Sequence, residues 1–168
     1  RIHTHLRFVN LCELILFSML FLTEIALKKE SIHINLRISN VYGINVRYGF
    51  IGALFDSIKH GSEVSIFQNL SITRDYVHVH DVIYAIRMLF EVDTDLECIN
   101  ISTGIGTTIS QVLDIFASKG YNFEKRREIA INLLVKQVSI LDCTNLSKLI
   151  DWQPRSLTEV LSELLPIK

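Results

Sequence analysis

The sequence has no excess of charge of either sign. Its 17 Lys and Arg stand against 18 Asp and Glu, a formal net charge of -1 over 168 residues. Such a balance exerts no long-range pull on nucleic acid or on an anionic membrane, so neither is an expected partner. Cysteine is scarce and scattered. Cys12, Cys98 and Cys143 are odd in number and fit no metal or redox spacing, which predicts reduced thiols in a cytoplasmic protein. A long unbroken apolar run is missing too. Glu13 and Glu24 interrupt the apolar stretch around Leu11–Leu22, so nothing reaches the ~18 residues that a membrane span needs. No small-residue cleavage site follows, so the stretch reads as a helix buried on most sides and continuing through Lys29; a targeting segment is the alternative. The chain starts at Arg1 rather than Met, as a processed product or a fragment would.

What is present is a core. Hydrophobic residues make up 49% of the chain, enough for one domain and against disorder. Ser31–Ile38 alternates like a strand and is apolar enough to lie inside a sheet. Asn40-Val41-Tyr42-Gly43 reads as a turn at its carboxyl end, where open parallel sheets bind ligands. Asn40 is therefore a candidate ligand contact, with a plain turn asparagine as the other reading. Gly49–Lys59 has helical amphipathicity and stops near Gly61; Val64–Phe67 is a short strand.

The densest signal is Arg74-Asp75-Tyr76-Val77-His78-Val79-His80-Asp81-Val82. Arg74 closes a loop, Tyr76 to Val79 forms a strand, and Asp81 stands where a helix N-cap belongs, before Val82–Phe90. Arginine grips a phosphate through two donors, so Arg74 suits a diphosphate; the plainer reading pairs it with Asp75 on the surface. His78 and His80 would share a strand face and could begin a zinc site, but no further cluster completes four ligands.

Glu97–Ile101 is a strand and Ser102–Thr108 a turn, followed by a helix from Ile109 that Thr107 or Thr108 caps. Gly104-Ile105-Gly106 imitates a dinucleotide-binding turn, but Ile109 replaces the third glycine and no acid follows at the required distance. Tyr121-Asn122-Phe123-Glu124-Lys125 is the only Tyr-x-x-x-Lys, and Gly120 places it in a loop. A short helix covers Leu146–Ile150. Ser156-Leu157-Thr158-Glu159 has capping-box spacing before Val160–Leu165.

Four segments, taken in order, resemble one family: Leu36–Gly43, Arg74–Val82, Asn100–Gly104, and Asp142 through Trp152-Gln153-Pro154. They look like the C-terminal half of an NAD-dependent epimerase/dehydratase, the extended short-chain dehydrogenase/reductase family, of the UDP-glucose 4-epimerase type. The resemblance implies an α/β fold: the last strands and helices of a Rossmann-like parallel sheet in residues 1–45, then a small α/β substrate-binding domain with short returning elements in 46–168. It implies that Asn40 and Arg74 contact a nucleotide-sugar diphosphate and that Phe67 packs beside the base. It also implies that Asp81 caps its helix. The family oxidises a sugar hydroxyl transiently with bound NAD, using a tyrosine whose pKa a lysine lowers.

The departures are specific. The family's N-terminal glycine turn is absent, and the catalytic Tyr-x-x-x-Lys belongs about 25 residues upstream of the Leu36-Arg37 strand, where Asn10–Leu14 carries neither residue. No catalytic, cofactor-binding or metal residue is assigned, and no NAD is expected to bind this chain alone. A UDP-sugar is the expected small partner, with activity absent from the isolated chain. The alternative is a non-catalytic remnant that self-associates or binds a partner through Leu11–Leu22 and Ile32–Ile38.

Overall fold

The computed structural model describes residues 23–27, 32–61, 69–123 and 137–166. Two sheets form. The first has the order β1-β2-β5, from Thr23–Leu27, Ile32–Ile38 and Cys98–Ile101. β2 runs parallel to β5 and antiparallel to β1. The second is built around β4 (Thr73–His78), with β3 (Asn40–Tyr42) and β7 (Val138–Ser139) parallel to it and β6 (Gly106–Thr108) antiparallel. The helices are α1 (Gly49–His60), α2 (Val79–Leu89), α3 (Ile109–Ser118), α4 (Thr144–Leu149) and α5 (Leu157–Leu164).

Period decides what each element buries. Alternation in β2 sends Ile34, Leu36 and Ile38 into a first core with Ile99 and Ile101 of β5. Val82, Ala85 and Leu89 of α2 recur at helical spacing and cover that core. Later chain returns to it: Leu146 and Trp152 join, and the Trp152 indole N–H donates to the Ser102 carbonyl at 2.8 Å. A second core takes Ile51 and Leu54 of α1, Ile109, Val112 and Phe116 of α3, and Val160 and Leu161 of α5. β4 serves both, with Val77 facing the first core and Tyr76 the second.

Several expectations hold. α1 ends at Gly61, whose φ of 63° is left-handed. Thr108 and Ser156 each cap their helices in a full capping box, with Gln111 and Glu159.

Others are corrected. Thr23–Leu27 is a strand rather than helix. Helix propensities differ by only tenths of a kcal/mol per residue, whereas an unpaired edge of β2 offers a whole row of backbone partners. With β1 on one side and β5 on the other, β2 is not the open edge that partner binding through Ile32–Ile38 would use. Asn40–Tyr42 is a strand because its backbone pairs with Tyr76–His78; the turn begins at Gly43, whose carbonyl accepts from Val46 N–H at 3.0 Å. The turn Ser102–Thr108 contains β6. β4 ends at His78, so His80 lies in α2 and the two histidines do not share a strand face. The N-cap of α2 is His78, and Asp81 sits in the first turn. The Leu11–Leu22 stretch, the strand Val64–Phe67 and Lys125 lie outside the described residues. No described helix is long and apolar enough to cross a membrane.

Candidate functional site

The two sequence-predicted contacts meet on one face of the second sheet. Asn40 of β3 is opposite Tyr76 of β4, and Arg74 lies two residues before Tyr76 on the same strand. Strand pleating puts alternate residues on one face, so Asn40, Arg74 and Tyr76 share it. A rise of about 3.3 Å per residue and a strand spacing of about 4.8 Å put the two Cα atoms roughly 8 Å apart. Thr107 and Ser139 flank Arg74 in register on β6 and β7. Phe67 lies outside the described residues.

Arg74 is half-buried and does not pair with Asp75. Its Nη1 donates to the carbonyls of Thr73 at 2.9 Å and Gln137 at 3.3 Å. Those bonds orient the guanidinium while Nε and Nη2 have no partner among the described residues. Burial pulls its pKa down, with Tyr76 opposing, but an arginine stays charged. The Tyr76 phenol is pushed up to about 12 by burial, so it is neutral at physiological pH.

Asp75 faces the other way and is fully buried. Oδ1 accepts from Thr103 N–H at 3.0 Å, the Thr103 hydroxyl at 2.7 Å and the Ser39 hydroxyl at 3.4 Å; Oδ2 accepts from Gly104 N–H at 3.0 Å. The Asp75 carbonyl accepts from Asn40 Nδ2 at 3.0 Å, which leaves the Asn40 amide oxygen with no described partner. Alternation along β4 could have foretold that Arg74 and Asp75 part company.

Beside this face sits a second polar group. Arg155 Nη2 donates to His78 Nδ1 at 2.7 Å and Arg155 Nε to Asp81 Oδ1 at 3.3 Å. His80 N–H donates to the same His78 nitrogen at 3.4 Å. Burial first, then Arg155 and His80, lowers the His78 pKa, and two donors on Nδ1 require the neutral ring with its proton on Nε2. Tyr42 stacks edge-on to His78 with ring centroids 5.3 Å apart; its buried hydroxyl has no partner among the described residues, and burial raises its pKa strongly. Arg155 carried no local sequence signal, because its partners are 74 and 77 residues away.

The resemblance implies NAD, and the glycine turn is where a dinucleotide would be sought. The Gly104 N–H is spent on Asp75, and the capping box of α3 occupies donors that a pyrophosphate would need. This turn therefore does not offer a dinucleotide cradle. The described residues also hold no group of three or more His, Cys, Asp or Glu that would suit a metal.

Comparisons with known proteins agree on a lineage. The chain is 26% identical over 103 residues to dTDP-4-dehydro-6-deoxyglucose reductase of Escherichia coli, matching 59% of this chain and 33% of that protein. It thus spans about a third of that relative's length. UDP-glucose 4-epimerase of Thermotoga maritima, solved with UDP-glucose, is 32% identical with a TM-score of 0.63, over 75% of this chain and 42% of its own. UDP-glucuronic acid 4-epimerase of Bacillus cereus, solved with UDP-glucuronic acid and NAD, has a TM-score of 0.67 at 21% identity, over 77% and 42%, a likeness of fold. The NAD dependent epimerase/dehydratase family model matches residues 19–102, half of the sequence. The chain belongs to the NAD dependent epimerase/dehydratase family.

Proposed function

We propose that this chain is the nucleotide-sugar-binding portion of a UDP-glucose 4-epimerase-like member of its family. One observation carries the reading: a half-buried Arg74, oriented by two carbonyls, has no partner for Nε and Nη2 among the described residues and shares its sheet face with Asn40. A planar fork with parallel N–H donors matches two phosphate oxygens, and fixing the fork beforehand reduces the entropy lost on binding. Asn40 lies beside it as a neutral polar contact. Phe67 is the proposed neighbour of the base. UDP-sugars bound to the Thermotoga maritima and Bacillus cereus enzymes support a ligand of that class.

The 168 residues bind and do not turn over substrate by themselves. Hydride transfer needs NAD, and the Gly104 turn does not offer its cradle, nor do the described residues supply a Tyr–Lys pair on one helix face. Calorimetric titration of UDP and UDP-glucose, with NAD alongside, tests the reading. UDP should bind and NAD should not, and Arg74→Ala should weaken UDP about tenfold or more, the worth of a charge-assisted hydrogen bond. A folded chain that gives no heat with UDP would contradict it.

A second reading, self-association of a non-catalytic chain, has one observation in its favour. Ile83 and Tyr84 of α2 and Phe90, its C-cap, are large apolar side chains exposed to solvent. Light scattering that shows a monomer at high concentration would count against it.

A further inference from the structure

We infer that Asp75 is the positioning residue of the site: its carboxylate anchors the stretch of β4 that carries Arg74 and whose carbonyl at residue 75 holds Asn40. The inference rests on the reading of those two residues as diphosphate contacts.

Asp75 has no solvent exposure, and the ion pairs among the described residues, Asp56 with His60 and Asp81 with Arg155, do not include it. A buried carboxylate without a counter-ion is costly, and a fold that needed only packing at this point would be better served by an apolar side chain. What compensates the charge is a set of donors from two separate places. Thr103 and Gly104 come from the loop between β5 and β6, where Gly104 has a φ of 73° that presents its N–H to Oδ2. Ser39 comes from the junction of β2 and β3.

The same residue then holds Asn40 from a second direction. The Asp75 carbonyl accepts from Asn40 Nδ2, so neighbours 39 and 40 are each tied to residue 75 by a different bond. Arg74 precedes Asp75 on β4, and the backbone that aims its guanidinium is the backbone that the Asp75 carboxylate anchors. A shift of Asp75 therefore moves both contacts at once. Both oxygens are needed: in Asp75→Asn an amide nitrogen must face an N–H donor on one side, Thr103 or Gly104, and two donors are left opposed.

The test is UDP affinity by calorimetry in wild type, Asp75→Asn, Arg74→Ala and the double variant. The inference expects Asp75→Asn to remain folded by circular dichroism and Trp152 fluorescence yet bind UDP about tenfold more weakly, and to cost much less in the Arg74→Ala background, because a misplaced arginine that is already gone cannot be lost again. A merely structural role leaves the two losses additive, and that result overturns the inference, as does unchanged affinity in Asp75→Asn. Where Asp75→Asn does not fold, Thr103→Val removes one donor from Oδ1 and keeps the backbone bond. It should weaken UDP binding in the same Arg74-dependent way, and unchanged affinity overturns the inference. A folded wild type that fails to bind UDP strikes the reading of Arg74 and Asn40 itself, whereas binding in wild type with additive losses strikes Asp75 alone.

Discussion

One side chain, His78, ties the stability of the fold to pH. His78 is neutral in the fold, because burial and the Arg155 guanidinium hold its pKa below the ordinary 6.5. The unfolded chain therefore takes up this proton at a higher pH than the folded chain. The stability that His78 contributes is whole above the unfolded value and is lost as pH falls below it toward the folded value. Urea midpoints should drop between about pH 7.5 and about pH 5.5, and His78→Gln, which keeps an acceptor for Arg155 but cannot titrate, should show a smaller drop. Equal slopes in the two proteins would contradict this assignment. Asn40 and Arg74 were legible in the sequence because their types and positions fit a ligand at strand ends. Arg155 was not, since contact with Asp81 and His78 exists only after the C-terminal segment packs back. Asp75 was half legible: its neighbourhood was marked, but pairing it with Arg74 overlooked the alternation that sends adjacent strand residues to opposite faces.

Two capping boxes and one helix stop are legible because their signals are local, whereas two short strands are not, because they depend on a distant partner. The capping boxes at Thr108 and Ser156 and the left-handed stop at Gly61 all lie within a few residues of the helix ends that they define. β1 and β3 exist because β2 and β4 offer them backbone partners, which no window of local sequence reports. Two substitutions test the elements. Ser156→Ala should cost about 1 kcal/mol in urea denaturation by removing the cap that accepts from Glu159 N–H at 3.2 Å. Gly52→Ala reverses the usual helix preference. A Cβ there would collide with the Val46 carbonyl oxygen and stand 2.8 Å from the Arg47 carbonyl carbon, both backbone atoms. Alanine should destabilise by roughly 1–3 kcal/mol, the range for overpacking, where an open helix site would gain about 1 kcal/mol. A more stable Gly52→Ala would show that α1 does not press on the 43–48 loop.

At the scale of the molecule, β4 is the strand that both cores share, so the described fold should unfold as one unit. Leu161 of α5 is wholly buried in the second core, and Trp152 belongs to the first. Leu161→Ala should cost about 2–5 kcal/mol and lower the Trp152 fluorescence midpoint together with the circular dichroism midpoint. A fluorescence transition left in place would mean that the cores melt separately. The central claim is that Asn40 of β3 and Arg74 of β4 take a nucleoside diphosphate, and the most direct test is titration of UDP into isotope-labelled protein by nuclear magnetic resonance. The account predicts saturable shifts at the Arg74 Nε and Asn40 side-chain resonances, with the Trp152 indole N–H, engaged by Ser102, unmoved. A folded spectrum in which UDP moves neither Arg74 nor Asn40 would contradict it.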